Sequence, residues 1–428
     1  MNDVVTASVP GDKSVGIRAL LLALLADGPS NIRGLADSRI TSATIGALRT
    51  LGAVVDVTTR PTCGLVAGGV DVVITPPHTL PHGVTIDCGG SATLARLLLG
   101  LLSGANVDAT IVGSEMLSRR PMTRVATPLQ ALFGEAVIAT TDGRLPARIL
   151  CSARTAVGDD VVRPGDSAQV RSAVMFAAIA ARRPVTLWSQ RPGRRHTEQL
   201  LRWLGVSVVD DDADAQDRDA RPRRTTIAGH QHIAALHLDV PGDPSQAAFL
   251  DALAVLARGR TLDVVGVLDD VERTGMSRVL SRMQRDGGLH GVVVDAYEVP
   301  DLIDEVPILA AVCAGASSSS TLHGLAELRV KESDRLARIV DLLAAFGVRT
   351  VVDGDSLSIH PGPWTQPTAP ICTDHDHRVG MTALVMARVL GVDVELDDPD
   401  CVKESWAGFV GENSQLAAAA IAVGLPAR

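Results

Sequence analysis

Aromatic residues are nearly missing from this 428-residue sequence: five Phe, four Trp and one Tyr, 2% of the chain. Binding a single nucleic-acid strand by base stacking needs several aromatic platforms, so that mode is poorly supported. An excess of positive charge is missing too. Forty Lys and Arg stand against 49 Asp and Glu, for a net charge of −9. That is the wrong sign for a broad nucleic-acid footprint, although a few converging arginines would suffice for a small anion. The six cysteines, at 63, 88, 151, 313, 372 and 401, include no C-x-x-C pair. This favours reduced thiols over a disulfide frame or a zinc site. No apolar run is long enough to span a bilayer, and Met1-Asn2-Asp3-Val4 begins no basic and apolar leader. A soluble, cytoplasmic protein with no membrane partner is therefore expected.

What remains is a globular composition, 46% apolar and 21% charged, whose cores must be built from Ala, Val and Leu. The length suits two or three domains. One turn organises the pattern. Val9-Pro10-Gly11-Asp12-Lys13-Ser14 runs into the apolar helix pattern Arg18–Ala26, and Val240-Pro241-Gly242-Asp243-Pro244-Ser245 repeats it before Ala247-Ala248-Phe249-Leu250. Each reads as a strand end, a Pro-Gly turn and a polar helix cap. Similar turns follow Asp87, Asp166, Asp304 and Asp376, so six acids at 12, 87, 166, 243, 304 and 376 lead six apolar helices. That recurrence predicts a repeated unit of strands and helices. If the helices point one way, their N-termini converge on a region favourable to phosphate. The acidic stretch Asp210–Asp219 has no apolar period and reads as a solvated loop.

Several stretches carry residue types suited to anion chemistry. Asp87-Cys88-Gly89-Gly90-Ser91-Ala92-Thr93 is a small-residue loop whose amides can approach a phosphate, or simply a tight turn. Arg119-Arg120-Pro121 offers a guanidinium for a carboxylate or phosphate, or an exposed basic turn. Ser167-Ala168-Gln169 places a hydroxyl and an amide at a helix mouth, where capping alone would also explain Ser167. Arg191, Arg194, Arg195 and His196 form the densest basic cluster. In Arg329-Val330-Lys331-Glu332-Ser333-Asp334-Arg335, Ser333 is expected to cap the helix Arg335–Phe346. Arg335, a cation at that helix N-terminus, then needs a bound anion or a paired acid nearby. Asp374-His375-Asp376-His377 resembles a metal cluster only superficially, because no further ligands sit at recognised spacing.

Taken in order, VPGDKS, DCGGSATLAR, RRPMTRV, SAQVRSA, RRHTEQLL, VPGDPSQAAF, LIDEVP, ELRVKESDR, DHRVGM and CVKESW resemble the 5-enolpyruvylshikimate-3-phosphate synthase family. The resemblance runs almost end to end. It implies two inside-out α/β domains, each of three βαβαββ units: residues 12–241 as one lobe, 1–11 with 242–428 as the other. It implies transfer of the enolpyruvyl group of phosphoenolpyruvate to the 5-hydroxyl of shikimate 3-phosphate, by addition and elimination, without metal or organic cofactor. By motif position Lys13, Arg120, Arg335 and Arg378 would hold phosphoenolpyruvate. Ser14, Arg18, Ser167 and Gln169 would hold shikimate 3-phosphate, with Thr93, Arg194 and His196 also at the substrates. Asp304 would be the base, Glu332 the proton-transfer partner, and Lys331 a contact to substrate hydroxyls. The small anionic substrates would be its only partners, and the protein would be a monomer.

The sequence departs from the family pattern around both phosphates. Gly16-Ile17 stands for Ser-His, and Ala92 for a glycine, which should weaken glyphosate binding. Gly193 stands for a serine, Arg195 for an aspartate, and Glu404 for a late lysine, with Lys403 one residue early. Such changes would also fit a specialised paralogue with another cyclic phosphorylated acceptor, or one eliminating phosphate without enolpyruvyl transfer. More distant readings are a UDP-N-acetylglucosamine enolpyruvyl transferase, whose active-site cysteine has no counterpart here, an RNA 3′-phosphate cyclase, and a non-catalytic binding protein.

Overall fold

The computed structural model describes residues 4–134, 137–151, 161–165, 167–189, 194–211, 223–229, 231–270, 273–411 and 414–426. Asp166, Arg191, Gly193 and most of the acidic stretch, from Asp212 to Asp219, lie outside these residues. The described residues form helices and six small sheets. Four sheets share one arrangement, in which a parallel pair is followed by two antiparallel strands. One of them runs, across the sheet, Val84–Asp87, Ala109–Val112, Arg144–Ile149 and Ile138–Thr141. Parallel neighbours need a long crossover, and the helix Ala92–Ala105 supplies it here. The anticipated repeat is thus visible as a recurring topology. It is abbreviated near the C-terminus, where among the described residues only the bridge Ile371↔Leu396 accompanies the helix His377–Leu390.

Two hydrophobic cores are separate. One is drawn from residues between Val15 and Val240, the other from Ala7, Val9 and residues between Ala247 and Val423. Both rely on Ala, Val and Leu, and close helix packing makes that sufficient. Helices Ala92–Ala105 and Ala168–Ala180 meet at Gly100 and Gly104. A Cβ there would lie 2.0 and 2.2 Å from the carbonyl oxygens of Ala173 and Ala177, so only glycine allows this approach.

The chain passes between the cores at the two repeated turns. Strand Val5–Ser8 pairs in parallel with Leu262–Val265, yet the next helix, Lys13–Ala23, packs in the opposite core. Strand His237–Asp239 pairs with the strand Ser30–Leu35 of that opposite core, and the next helix, Pro244–Ala257, packs back in the core that holds Ala7 and Val9. The passages bind each other reciprocally. The Asp12 N–H donates to the Pro241 carbonyl at 2.7 Å, and the Asp243 N–H donates to the Pro10 carbonyl at 2.9 Å. Gly11 is required, since a Cβ would stand 2.1 Å from the Gly34 carbonyl oxygen.

Helix starts follow their sequence signals with two adjustments. Asp12, Asp243 and Asp376 cap their helices by accepting backbone N–H bonds. After Asp87 the cap is Ser91, and Glu305 rather than Asp304 precedes the helix Val306–Ala314. That offset leaves the Asp304 carboxylate outside the helix.

One partly buried acid gives the second core a pH signature. On helix Pro244–Ala257, burial and then Asp263 push the Asp251 carboxyl up to about 6 from 3.8. The folded protein holds that proton more tightly than the unfolded chain does. The contribution is therefore complete below about pH 4 and lost as pH rises through about 6. Asp251→Asn should stabilise the protein by roughly 1–2 kcal/mol at about pH 8, with no gain near pH 4. Urea unfolding at the two pH values checks this, and a pH-independent difference would refute it.

Candidate active site

A cavity of about 600 Å³ collects the first turns of helices from both cores. Lys13 and Ser14, Thr93, and Ala168 and Gln169 reach it from three helices of the first core. Ser245 and Arg378 come from the first turns of helices in the second, and Asp304 from two residues before Val306. Six helix N-termini thus gather here, with N–H groups that lack intrahelical partners. Nine Lys and Arg side chains line the cavity against four Asp and Glu. The local balance is opposite to the chain's overall −9, which suits anionic ligands.

Thirteen of the fourteen sequence-predicted site residues line this cavity. Arg335 is the exception. Expected at the substrate, it lies behind the wall and is 1% exposed. Its guanidinium is occupied by Asp376 at 2.7 Å, Glu332 at 2.6 Å and Asp304 at 3.3 Å. The paired acid anticipated for this cation is therefore present threefold. Burial works against its charge, but these carboxylates hold it above the ordinary arginine pKa. The cap of its helix also differs from expectation. Asp334 accepts the Ala337 N–H, while Ser333 donates its hydroxyl to Asp376.

Asp304 meets cations from both cores. Arg194, from the first core, reaches it at 2.6 Å and Lys331 at 3.8 Å, and its carbonyl accepts from Arg378 at 3.0 Å. Burial pushes its pKa up, but Lys331, Arg194, Arg378 and Arg335 outweigh burial and hold it well below the usual carboxylate value. Glu332 receives Arg120 from across the cleft at 3.4 Å. Burial would raise its pKa, yet Arg335, Arg120, Lys13 and His377 keep it well below 4.5. Lys13 shows the reverse. Burial and Arg378 lower its ammonium pKa from 10.5, while Glu332 and Asp304 resist. Two carboxylates and one destabilised ammonium thus face the same space.

Other residues hold these in place. Gln169 donates to Thr93 Oγ1 at 2.9 Å and accepts from Arg96, which also donates to the Pro121 carbonyl at 3.2 Å. Arg18 donates to Thr197 Oγ1, Ser172 Oγ and the Ser14 carbonyl, so much of its fork serves the protein. Ser167 begins its helix without a side-chain cap bond, leaving its hydroxyl to the cavity. His196 is buried, and its pKa is driven well below 6.5 by burial and then by Arg18, Arg273 and Arg194. It is therefore neutral at physiological pH.

The metal-like run separates. His375 pairs with Asp398 at 2.6 Å, while Asp376 faces Arg335. Asp374 and His375 both adopt left-handed backbone, φ 50° and 59°, which turns the chain sharply into the helix carrying Arg378. Among the described residues, His82, Asp108 and Cys151 are close enough to share a cation, and none of them lines the cavity.

Three lining arginines escaped the sequence reading. Arg96 sits one turn beyond Thr93, so helical spacing would have found it. Arg124 follows Arg120 by four residues in the next helix. Arg273 lies 30 residues beyond the second turn and carries no local signal at all. Of the departures from the family pattern, Glu404 lies over the Gly90 loop, 3.7 Å from Arg39, and Lys403 pairs outward with Asp400 at 2.7 Å. Ala92 is buried beside Thr93.

The Arg335 knot generates a stability prediction. Arg335→Met leaves Asp376 and Glu332 without their closest partner, which should cost about 3–5 kcal/mol. An unchanged unfolding midpoint in urea would show the knot to be energetically idle.

A family model described as EPSP synthase (3-phosphoshikimate 1-carboxyvinyltransferase) matches residues 4–412. The 3-phosphoshikimate 1-carboxyvinyltransferase of Acidiphilium cryptum (strain JF-5) is 37% identical over 427 residues, covering 95% of this chain and 92% of the relative. That of Lactiplantibacillus plantarum (strain ATCC BAA-793 / NCIMB 8826 / WCFS1) is 34% identical, with 96% and 95% covered. The solved EPSP synthase of Acinetobacter baumannii superposes with a TM-score of 0.75 at 27% identity, covering 98% of this chain and 95% of that one. The enolpyruvyl transferase NikO from Streptomyces tendae, at 17% identity and a TM-score of 0.66, shares the fold. The two-core α/β architecture, the ten ordered motifs and these likenesses agree: the chain belongs to the EPSP synthase family of 3-phosphoshikimate 1-carboxyvinyltransferases.

Proposed function

We propose that this protein transfers the enolpyruvyl group of phosphoenolpyruvate to the 5-hydroxyl of shikimate 3-phosphate and releases phosphate. The observation that carries the reading is the meeting of Lys13, Asp304 and Glu332 in one cavity ringed by arginines from both cores. The names of the curated relatives favour transfer over elimination without transfer.

The chemistry needs two polyanions neutralised, a hydroxyl deprotonated and a methylene carbon protonated. Lys13, Arg120 and Arg378 are the cations assigned to phosphoenolpyruvate, with Arg335 acting through Glu332. Ser14, Arg18, Ser167 and Gln169 are assigned to shikimate 3-phosphate, Lys331 to its hydroxyls, and Thr93, Arg194 and His196 to the bound substrates. Asp304, held ionised by its arginines, takes the proton of the 5-hydroxyl as that oxygen bonds to C2 of phosphoenolpyruvate. A proton passes from the Lys13–Glu332 pair to C3. Elimination then breaks the C–O bond to phosphate and returns a proton from the new methyl group. Arrival of the substrate anions also accounts for the proton supply. Their negative charge competes for Arg120 and Lys13, which raises the pKa of both Lys13 and Glu332 toward the protonated form.

In this reading residues 12–241 form one lobe, 1–11 with 242–428 form the other, and the two crossings are the hinge. The exchanged strands Val5–Ser8 and His237–Asp239 and the two separate cores support that division. A complete set of assigned residues within one chain supports action as a monomer. We place the enzyme in the cytoplasm, where its thiols, none of them in a disulfide, would stay reduced. Among the described residues no helix is long and apolar enough to cross a membrane.

Incubation with shikimate 3-phosphate, with and without phosphoenolpyruvate, tests the reaction. An enolpyruvyl ether is the expected organic product, and phosphate release without phosphoenolpyruvate would overturn the assignment. Lys13→Ala should lower kcat by roughly 100-fold or more with the circular dichroism of the wild type. Retained turnover would remove Lys13 from the reaction. The Ala92 methyl next to Thr93 should weaken glyphosate, and a submicromolar inhibition constant would contradict that.

A further inference from the structure

We propose that Arg273 is a positioning residue that locks the two chain crossings in register and thereby sets Lys13 for the reaction. Its side chain is 2% exposed. One terminal nitrogen lies 3.1 Å from Asp12 and the other 3.0 Å from Asp243 and 2.6 Å from the Ser245 hydroxyl. The same two aspartates cap the helices that leave the crossings. Asp12 accepts the Val15 N–H at 2.8 Å, and Asp243 accepts the Ser245 N–H at 2.8 Å. Asp243 also lies 3.4 Å from the Lys13 N–H, so the backbone of the candidate catalytic lysine ends in the same network. One guanidinium therefore fixes where both helices begin, one in each core.

Residue type matters for geometric reasons. The planar fork of arginine presents separate donors to the two carboxylates at once, whereas a lysine ammonium is a single point charge. Glu305 stands 3.8 Å away as a third acid. Without Arg273, the acids at the junction would repel each other across the crossings and draw the helix starts apart. The lysine side chain would remain, but its Cα would be free to shift, and a misplacement of about 1 Å is enough for a hundredfold loss in rate.

The inference rests on the role proposed for Lys13, and its test separates the two. Arg273→Lys is compared with wild type and with Arg273→Gln/Asp243→Asn, which removes one charge of each sign so that the fold is not left with the full acid excess. Expected for Arg273→Lys is a fall in kcat of about tenfold to a hundredfold. Amide hydrogen exchange should be faster at residues 9–14 and 240–246, with wild-type protection in helices Ala92–Ala105 and Val306–Ala314. The double variant should show the same local exchange. A merely structural arginine would instead speed exchange throughout both cores and lower activity only with the folded fraction, which would overturn the proposal. Wild-type kcat and wild-type exchange at the crossings in Arg273→Lys would overturn it as well. A wild-type protein that forms no enolpyruvyl product would defeat the assigned reaction, while exchange at the crossings would still decide for or against Arg273.

Discussion

Arg273 is buried among Asp12, Asp243 and Glu305 at the one place where the chain twice changes cores. Taking a guanidinium out of water is costly unless its partners are close and well aimed. Here they are: burial works against its charge, yet the three acids keep it above the ordinary arginine pKa. An apolar plug could fill the same volume without fixing any register. The charged junction ties each crossing to the other, and the backbone bonds Asp12–Pro241 and Asp243–Pro10 repeat the constraint in the main chain. Everything that approaches the cavity from the Lys13 and Pro244 helices starts from that junction.

Around it, electrostatics are arranged by secondary structure as much as by side chains. Six helix N-termini and nine cations surround four acids in a protein of net charge −9. The acids that matter are not neutralised by burial, because each is held by a cation of its own core and an arginine of the opposite one: Lys331 and Arg194 for Asp304, Arg335 and Arg120 for Glu332. The site is therefore held together by interactions that substrate anions would compete for. Binding and the readiness of the proton-transfer groups are coupled by the same charges.

The near absence of aromatics shapes the scaffold. Cores of Ala, Val and Leu fill space by bringing helix backbones close, and Gly100 and Gly104 permit it between the two central helices of the first core. Short strands in repeated four-stranded sheets then place helix starts at similar positions around the cavity. The abbreviated C-terminal unit still delivers Arg378, because the left-handed Asp374 and His375 do locally what a strand would otherwise do.

By itself the sequence determined the local features and much of their purpose. The two VPGD turns, their caps, the glycine loop before Thr93 and the helix carrying Arg378 are legible because turn and cap chemistry is short-range. The ordered motifs made the family and thirteen of the cavity-lining residues readable. Tertiary structure alone decided the rest. Arg335 was withdrawn from the cavity by Asp376, 41 residues away, and Asp334 replaced Ser333 as its cap once Ser333 had turned to Asp376. The exchange of strands Val5–Ser8 and His237–Asp239 between cores is a matter of long-range pairing that no local pattern encodes. Arg273 shows the limit most plainly. It became the link between Asp12 and Asp243 only because folding brought together two turns 231 residues apart in the chain, and a buried charge takes its meaning from partners that spacing in sequence does not reveal.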